Sequence, residues 1–270
     1  MIRLVVCDLD GTLIDTGNRC DPSVAETVRE LQRRGIRFAL CSGRPLDSVL
    51  WMLEGWRLAE ITDYMIGSNG GEAEDLHTHE RVVSYPLAPE VIRDIIDTYM
   101  PMGLTASFYT ADILYVSEIT EQVKKVAGRL AIGLEKGDVR AMFTKPELKE
   151  MMIVEPERMA EIEKYYAAHP DDRYIAFKTA NDLFEFNHPK LAKDVGLRLI
   201  AERMGISPEE IMAFGDTTND IAMFRYAKYG ICMDNGSEDA KAAAYDIAPS
   251  ITDRGFATYI NKHIFNTSLL

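Results

Sequence analysis

The stretch Leu4-Val5-Val6-Cys7-Asp8-Leu9-Asp10-Gly11-Thr12 joins a run of apolar residues to a short acidic loop. A strand without alternation of apolar and polar residues is typical of a parallel sheet that is covered on both faces. We therefore predict a buried strand over residues 4–7 that runs into a loop at Asp8.

The residues after this loop predict a helix and two more buried strands. Asp21 is placed as the N-cap of a helix that begins at Pro22 and ends before Gly35. The apolar runs at 36–40 and 64–66 follow, and each ends in a loop of small or polar residues. Strand, helix and strand in succession are typical of a doubly wound parallel sheet.

The pattern changes near Arg81 and returns after His188. Between these points the strands look shorter and more alternating, which predicts an inserted α+β domain over 82–187 with a mainly antiparallel sheet. The core domain then comprises 1–81 and 188–270, and the fold class is α/β with a doubly wound parallel sheet. Further buried core strands are expected at 211–214 and 229–233. The other expected elements are strands at 81–84, 104–108, 113–116, 151–154, 174–178 and 183–186 and helices at 89–100, 118–130 and 157–168.

The charge of the chain restricts the classes of partner. Its 270 residues include 30 Lys and Arg against 43 Asp and Glu, which gives a formal net charge of −13. Such an acidic surface disfavours nucleic acids and anionic membranes as partners. An anionic small substrate stays compatible, because salt screens charges beyond about 8 Å and only the field at the site matters.

Cysteine usage and hydropathy indicate the compartment. The four cysteines form no CxxC pair and no zinc-ligand spacing, which favours buried thiols in a reducing compartment. No apolar stretch approaches the roughly 18 residues that span a bilayer, and an acidic residue at position 8 comes too early for a signal peptide. We therefore expect a soluble, cytoplasmic protein.

Acidic and polar residues follow the predicted core strands. In an open α/β sheet, ligands bind outside the carboxyl ends of the strands, so these residues are expected to meet at one edge. Clustered carboxylates repel each other by about 4 kcal/mol per pair at 4 Å and an effective dielectric constant of 20, which a bound cation relieves. Ligands that are all oxygen atoms select a hard cation, Mg²⁺ in a cell. The segments concerned are Asp8-Leu9-Asp10-Gly11-Thr12, Ser42-Gly43-Arg44, Ser68-Asn69-Gly70 and Gly215-Asp216-Thr217-Thr218-Asn219-Asp220.

Three of these segments resemble signature motifs of the haloacid dehalogenase (HAD) superfamily. They are Asp8-x-Asp10-Gly-Thr12, Ser42 after the second strand, and Gly-Asp216-x-x-Asn219-Asp220. The alternative explanation of these motifs is that they are two unrelated acidic turns, each of which follows a strand. The resemblance covers essentially the whole chain, strongly over about 1–71 and 188–260, and it implies a HAD-like Rossmannoid core with an inserted α+β cap domain.

The fourth motif of the superfamily is a lysine, which we place at Lys193. It lies twelve positions before Gly205, the offset of the Cof-type (subclass IIB) branch. Asp194 stands where that branch has a glycine, and Lys190 is a competing candidate three residues away. The choice between the two lysines stays open at this point.

The resemblance implies a Mg²⁺-dependent phosphatase that hydrolyses phosphomonoesters of small metabolites, such as sugar phosphates, through an aspartyl-phosphate. Asp8 would be the nucleophile and a metal ligand. Asp10 would be the general acid and base, with its backbone carbonyl on the metal. Asp216 would complete the direct ligands, and Asp220 would hold metal-bound waters and orient Lys193.

Other residues are expected to bind the phosphoryl oxygens. The Ser42 hydroxyl and the backbone N–H groups of Leu9 and Gly43 would donate to them, and Lys193 would add a fixed positive charge. Asn219 reaches the phosphate by family resemblance. Two roles are open for Arg44, a contact with the phosphate and the capping of a helix end. Two are also open for Asn69, a contact with the phosphate and a place in a tight turn.

Two alternative functions remain at this stage. The first is a phosphotransferase or phosphomutase of the same superfamily, in which a sugar hydroxyl replaces water as acceptor. The second is a phosphate- or metal-binding module without turnover, against which the acid at Asp10 argues. The predicted partner is a small phosphorylated metabolite; the sequence identifies neither that metabolite nor the oligomeric state.

Overall fold

The computed structural model describes residues 1–110, 113–130 and 132–266. It divides the chain into two compact units, one formed by Met1–Ser84 with the chain from Ala192 onward and the other by Tyr85–Leu191. We find no helix in these ranges with the length and apolar character that a transmembrane span requires.

The strands and helices alternate along the first unit and are more mixed in the second. The strands are β1 (Leu4–Asp8), β2 (Arg37–Cys41), β3 (Tyr64–Gly67), β4 (Glu72–Asp75), β5 (Arg81–Val83), β6 (Thr105–Tyr109), β7 (Ile113–Val116), β8 (Gly133–Lys136), β9 (Lys149–Ile153), β10 (Ile175–Ala180), β11 (Leu183–Asn187), β12 (Ile211–Gly215), β13 (Tyr229–Met233) and β14 (Asp246–Ala248). The helices are α1 (Pro22–Arg33), α2 (Asp47–Leu50), α3 (Pro89–Tyr99), α4 (Glu121–Leu130), α5 (Val139–Met142), α6 (Met159–Ala168), α7 (Lys193–Met204), α8 (Ile221–Tyr226), α9 (Glu238–Ala243) and α10 (Gly255–Ile260).

The sheet of the first unit has the order β14-β13-β12-β1-β2-β3-β4-β5. The strands from β14 to β3 are parallel, whereas β4 and β5 pair antiparallel at one edge. The α/β class is confirmed. The doubly wound parallel sheet is confirmed as well, and two antiparallel edge strands extend it; the strand expected over 81–84 in the inserted domain is one of them, β5 of this core sheet.

The edge strands β4 and β5 were missed or misplaced for a physical reason. Their sequences, Glu-Ala-Glu-Asp and Arg-Val-Val, carry charges at positions where a sheet strand usually has apolar side chains. Glu74 and Arg81, which lie opposite each other in the two strands, form an ion pair with a nitrogen–oxygen distance of 2.8 Å. This long-range pairing of charges is not visible in local sequence periodicity.

Strand β1 lies at the centre of the sheet and is buried along its whole length. Its alternating residues contribute to both faces: Val5 and Cys7 pack in one apolar cluster, and Leu4 and Val6 in the other. This arrangement explains the apolar run without alternation. The register places Asp8 beside Cys41 of β2, so the acidic loop begins at the carboxyl end of the sheet.

Helix α1 begins and ends as the sequence predicted. The Asp21 carboxylate accepts a hydrogen bond from the Ser23 amide at 2.9 Å, and Pro22 occupies the first helical position. Gly35 follows the helix with φ +75°, a left-handed conformation that favours glycine. This helix returns the chain from the end of β1 to the start of β2.

The sheet of the second unit has the order β10-β11-β9-β6-β7-β8. Its pairs are antiparallel except for β7 with β8, in agreement with the expected mainly antiparallel sheet. Strand β8 was not predicted, because its sequence Gly-Leu-Glu-Lys is mostly exposed and polar. Helices α3 and α6 supply apolar residues to the cluster on one face, and α4 supplies them to the cluster on the other.

Glu150 of β9 is a buried acid in this second unit. Its side chain is fully buried, and neither carboxyl oxygen has a hydrogen-bond partner among the described residues. Burial raises the pKa of Glu150 well above its usual value of 4.5, although the nearby backbone amides of Ser107 and Met151 oppose the rise. Burial therefore favours the neutral form of this carboxyl in the folded protein.

We expect Glu150→Met to stabilise the protein in a pH-dependent way. Because the folded-state pKa is raised, the contribution of Glu150 to stability is intact below pH 4.5 and is lost as the pH rises towards the folded-state pKa. The substitution should raise the free energy of unfolding by about 1–3 kcal/mol at pH 8 and by less at pH 5. Urea denaturation at the two pH values measures this difference, and an equal effect at both would contradict it.

Candidate active site

Lys193 lies between two acids at the carboxyl end of the core sheet. It is the first residue of α7, and its Nζ donates to Asp8 Oδ1 at 2.5 Å and to Asp220 Oδ1 at 2.6 Å. All three side chains are buried. Although burial opposes it, the carboxylates of Asp220 and Asp8 raise the pKa of Lys193, so the lysine is held as an ammonium ion.

Asp220 also fixes the loop that follows β12. Its second carboxylate oxygen accepts from the backbone amides of Asp216 and Thr217 at 2.9 and 3.0 Å. The chain turns so tightly that a Cβ on Gly215 would lie 2.4 Å from the Asp220 carboxyl carbon. Both oxygens of Asp220 thus have protein partners, which suits a residue that positions Lys193 and the loop.

Asp216 meets the loop that follows β1. The Thr12 hydroxyl donates to Asp216 Oδ1 at 3.3 Å. Gly11 has φ +80°, and a Cβ placed on it would lie 2.3 Å from Asp216 Oδ2. A glycine is therefore required at this position both by the backbone conformation and by the approach of the carboxylate.

The three acids Asp8, Asp216 and Asp220 each offer an oxygen within 4.8 Å of the others. Burial raises the pKa of Asp8 to about 8, against the effect of Lys193 and with the help of Asp220 and Asp216. Burial and the Asp220 charge raise the pKa of Asp216 to about 6. Carboxylates that repel each other in this way, with oxygen as the only donor atom, form a group that could hold a hard divalent cation.

A second group of side chains lies on the loops that follow β2 and β3. The backbone N–H of Asn69 donates to the backbone carbonyl of Ser42 at 3.1 Å. The side-chain amide of Asn219 donates to Asn69 Oδ1 at 3.2 Å. Asn69 has φ 54° and ψ 38°, a left-handed turn conformation. A Cβ on Gly43 would lie 3.0 Å from Asn69 Oδ1. The structure thus brings Ser42, Gly43, Asn69 and Asn219 together.

Arg44 forms an ion pair with Asp10. Its guanidinium donates to both carboxylate oxygens of Asp10, at 2.9 and 2.5 Å, and to Asn18 Oδ1 at 2.8 Å. The phosphate contact that the sequence left open for Arg44 stays a prediction, and its side chain here binds carboxylate and amide oxygens. Lys190, the competing candidate for the motif lysine, faces an aromatic ring. Its Nζ lies 5.8 Å from the centre of the Tyr85 ring.

The fold and this arrangement agree with what comparison with known proteins shows. A sequence model of haloacid dehalogenase-like hydrolases matches residues 5–260. The chain belongs to this family. The resemblance expected from the motifs is therefore confirmed, and the protein is an enzyme of the HAD hydrolase type.

Two curated relatives of this HAD hydrolase match it over nearly their full lengths. The Bacillus subtilis (strain 168) protein named "Putative phosphatase YxeH" is 26% identical over 268 residues, which cover 97% of this chain and 98% of the relative. The "Putative phosphatase M6_Spy0533" of Streptococcus pyogenes serotype M6 is 27% identical over 267 residues, with 98% and 99% coverage.

Solved structures share the fold of this HAD hydrolase. TM0651 from Thermotoga maritima superposes with a TM-score of 0.86 at 26% identity and covers 97% of each chain. The HAD subclass IIB sugar phosphatase BT4131 gives a TM-score of 0.81 at 22% identity, with 98% of this chain and 100% of that chain covered. At this identity the second comparison concerns the fold.

Sequence reasoning missed three side chains that support the site. Thr12 was part of the quoted motif but received no role, and Asn18 carried no signal because it lies in a loop far from any strand end. Asn235 follows β13, and its side chain donates to the Gly11 carbonyl at 2.8 Å. The rule that ligand-binding residues follow parallel strands would have identified Asn235.

We expect Gly11→Ala to impair metal binding by the HAD hydrolase, whereas Gly35→Ala should not. Both glycines have positive φ, so each substitution should destabilise the protein by about 1–2 kcal/mol. Only the methyl group at position 11 would collide with Asp216, since nothing lies within 4 Å of a Cβ at Gly35. Titration calorimetry with Mg²⁺ should show at least about a tenfold loss of affinity for Gly11→Ala alone. Equal affinities in the two variants would contradict this account of Asp216.

Proposed function

We propose that this HAD hydrolase is a Mg²⁺-dependent phosphatase that hydrolyses phosphomonoesters of small metabolites, such as sugar phosphates, through an aspartyl-phosphate on Asp8. The observation that carries the proposal is the buried Asp8 carboxylate, held by Lys193 next to Asp216 and Asp220. A simple anion-binding site has no use for an acidic side chain at its centre, whereas an aspartyl-phosphate intermediate requires one.

Asp8 attacks the phosphorus atom of the substrate. A carboxylate oxygen forms the bond to phosphorus while the bond between phosphorus and the ester oxygen breaks. Lys193 fixes the direction of the carboxylate through Oδ1, and Oδ2 has no hydrogen-bond partner among the described residues. We therefore assign Oδ2 as the oxygen that faces the substrate or the metal.

Asp10 supplies and removes the proton. It protonates the leaving alkoxide, and then it takes a proton from the water that attacks the aspartyl-phosphate and releases inorganic phosphate. In the conformation seen, Arg44 binds both oxygens of Asp10, and half of the Asp10 side chain is exposed. Asp10 has to turn out of this ion pair to reach the leaving group, and its exposed position leaves room for that movement.

The loops after β1, β2 and β3 and the loop after β12 provide the groups that bind the phosphoryl oxygens. We assign donors to the Ser42 hydroxyl, to the amides of Leu9 and Gly43, and to the side chains of Asn69 and Asn219. The hydrogen bond between Asn219 and Asn69 supports this assignment, because it orients both amide groups at the same edge. Donors that are already oriented stabilise the charge that develops in the transition state.

The donor set fits a magnesium ion. The carboxylates of Asp8 and Asp216 and the backbone carbonyl of Asp10 would hold it, while Asp220 would act through its contacts with Lys193 and the loop amides. When bound, Mg²⁺ neutralises phosphate charge and aligns the reacting oxygens. The cap role of the inserted domain and the cytosolic location remain predictions.

Asp8→Asn is the direct test of the proposed nucleophile. Because the amide cannot attack phosphorus, release of phosphate from a panel of phosphorylated sugars should fall at least about a thousandfold. Circular dichroism should show an unchanged fold, since the amide oxygen still accepts from Lys193. Activity within tenfold of the wild type would remove Asp8 as nucleophile.

The same assay tests the metal and the acceptor. EDTA should abolish activity and Mg²⁺ should restore it, and full activity in chelator would refute the metal site. A sugar acceptor added to the reaction separates hydrolysis from phosphoryl transfer, because transfer yields a new phosphorylated sugar in place of inorganic phosphate.

A comparison of Lys193→Ala with Lys190→Ala tests the lysine assignment. Removal of Lys193 leaves two buried carboxylates without their ammonium, so activity should be lost and stability should fall by about 3–5 kcal/mol. Lys190→Ala is the matched control and should retain activity within about threefold. Loss of activity in the second variant alone would show that Lys190 is the motif lysine.

A further inference from the structure

Glu72 is a buried acid that the proposed mechanism does not use. It begins β4, directly after the turn that carries Asn69, and only 7% of the residue is exposed. A carboxylate close to a site for a phosphate dianion is unfavourable by simple charge repulsion. Its presence there calls for an interaction that compensates for this cost.

One oxygen of Glu72 connects the two loops that carry proposed phosphate donors. Glu72 Oε1 accepts from the Leu46 backbone amide at 2.9 Å and from the Ser68 hydroxyl at 2.8 Å. Leu46 ends the segment that begins at Ser42, and Ser68 directly precedes Asn69. Both donors are buried away from water, so each needs an acceptor that the protein itself provides.

The approach of these loops is close. The Ser68 amide donates to the Arg44 carbonyl at 2.8 Å, so the backbones of the two loops are also bonded directly. A Cβ on Gly67 would lie 2.9 Å from the Leu46 nitrogen and 3.0 Å from Glu72 Oε1. The Glu72 oxygen thus fills the space at the point where the loops meet.

The second oxygen of Glu72 faces a cation. Arg81 of β5 lies 3.6 Å from Glu72 Oε2 and also contacts Glu74 and Asp47, at 2.8 and 2.7 Å. Arg81 lowers the electrostatic cost of the Glu72 charge beside the anion site. It does not itself contact the Leu46 amide or the Ser68 hydroxyl in the described hydrogen bonds.

We propose that Glu72 is a positioning residue for phosphate binding, which sets the separation of the loop 42–46 from the turn 68–70 through a single shared acceptor oxygen. This inference rests on the proposed function, because that function assigns phosphate donors to both loops. It assigns Glu72 no contact with substrate. Its effect therefore belongs to the binding of the phosphoryl group and not to proton transfer or nucleophilic attack.

Two substitutions at position 72 separate the acceptor from the charge. Glu72→Gln keeps an oxygen at the Oε1 position, so it should hold both loops and remain within about threefold of the wild type. Glu72→Met has a similar length but no strong acceptor, and it should raise the KM for a phosphorylated sugar about tenfold with kcat changed less than about threefold. Glu74→Gln is the matched control, since Glu74 is equally buried on the same strand and contacts Arg81 and His79 but neither loop.

Binding of inorganic phosphate to the Mg²⁺-loaded protein, measured by calorimetry, provides a readout without turnover. Its Kd should rise about tenfold in Glu72→Met and stay near the wild-type value in Glu72→Gln and Glu74→Gln. A wild-type protein that binds phosphate but hydrolyses no ester would refute the proposed function. Comparison of the phosphate Kd values of the wild type and the variants would still test the role of Glu72. If Glu72→Met does not fold, Ser68→Ala removes one of the two donors and should raise the Kd about threefold.

Two results would overturn the positioning role. The first is a Glu72→Met protein with a lowered melting temperature but an unchanged KM and phosphate Kd, which is the signature of a merely structural residue. The second is equal impairment of Glu72→Gln and Glu72→Met, which would show that charge and not the acceptor oxygen matters. For Ser68→Ala, an unchanged Kd counts against the proposal in the same way.

Discussion

The ammonium group of Lys193 is the constraint on which the site depends. A charge that is removed from water is tolerated only where opposite charges and hydrogen bonds replace its hydration, and Asp8 and Asp220 provide them here. Asp220 in turn binds the amides of the loop after β12. One ion-pair network therefore fixes the end of β1, the loop after β12 and the start of α7 with respect to each other, and the same contacts that stabilise the core also orient the proposed nucleophile.

The core of the fold was predictable because its strands are buried on both faces. A central strand such as β1 must be apolar at every position, and Asp8 is informative because it breaks this pattern at the strand end. The same reasoning missed β4 and β8 and assigned β5 to the inserted domain. These strands are short and charged, and what makes β4 and β5 strands is the pairing of residues such as Glu74 and Arg81, whose contact is set by tertiary structure.

The site was predictable in its residue types and less so in its contacts. The placement of acids after parallel strands led to Asp8, Asp216 and Asp220, which the structure brings within 4.8 Å of one another. The partner of Arg44 was not predictable, because no local pattern shows that Asp10, 34 residues away, accepts from it. Glu72 was missed for the opposite reason, since a charged residue after a turn is typical of an exposed position and here it is buried.

The anionic substrate that we propose has to be reconciled with the balance of charge at the site. Asp8, Asp10, Asp216 and Asp220 face only two cationic side chains among the described contacts, Lys193 and Arg44, and each of these is already bound to carboxylates. The protein groups alone thus leave the site negative, and a phosphate dianion would be repelled by about 8 kcal/mol for each uncompensated carboxylate at 4 Å and an effective dielectric constant of 20. Lys193 cannot turn to the phosphate without leaving two buried acids unpaired, and Arg44 is released only when Asp10 turns out of their ion pair. The divalent cation that we propose for this site would supply positive charge from outside the chain.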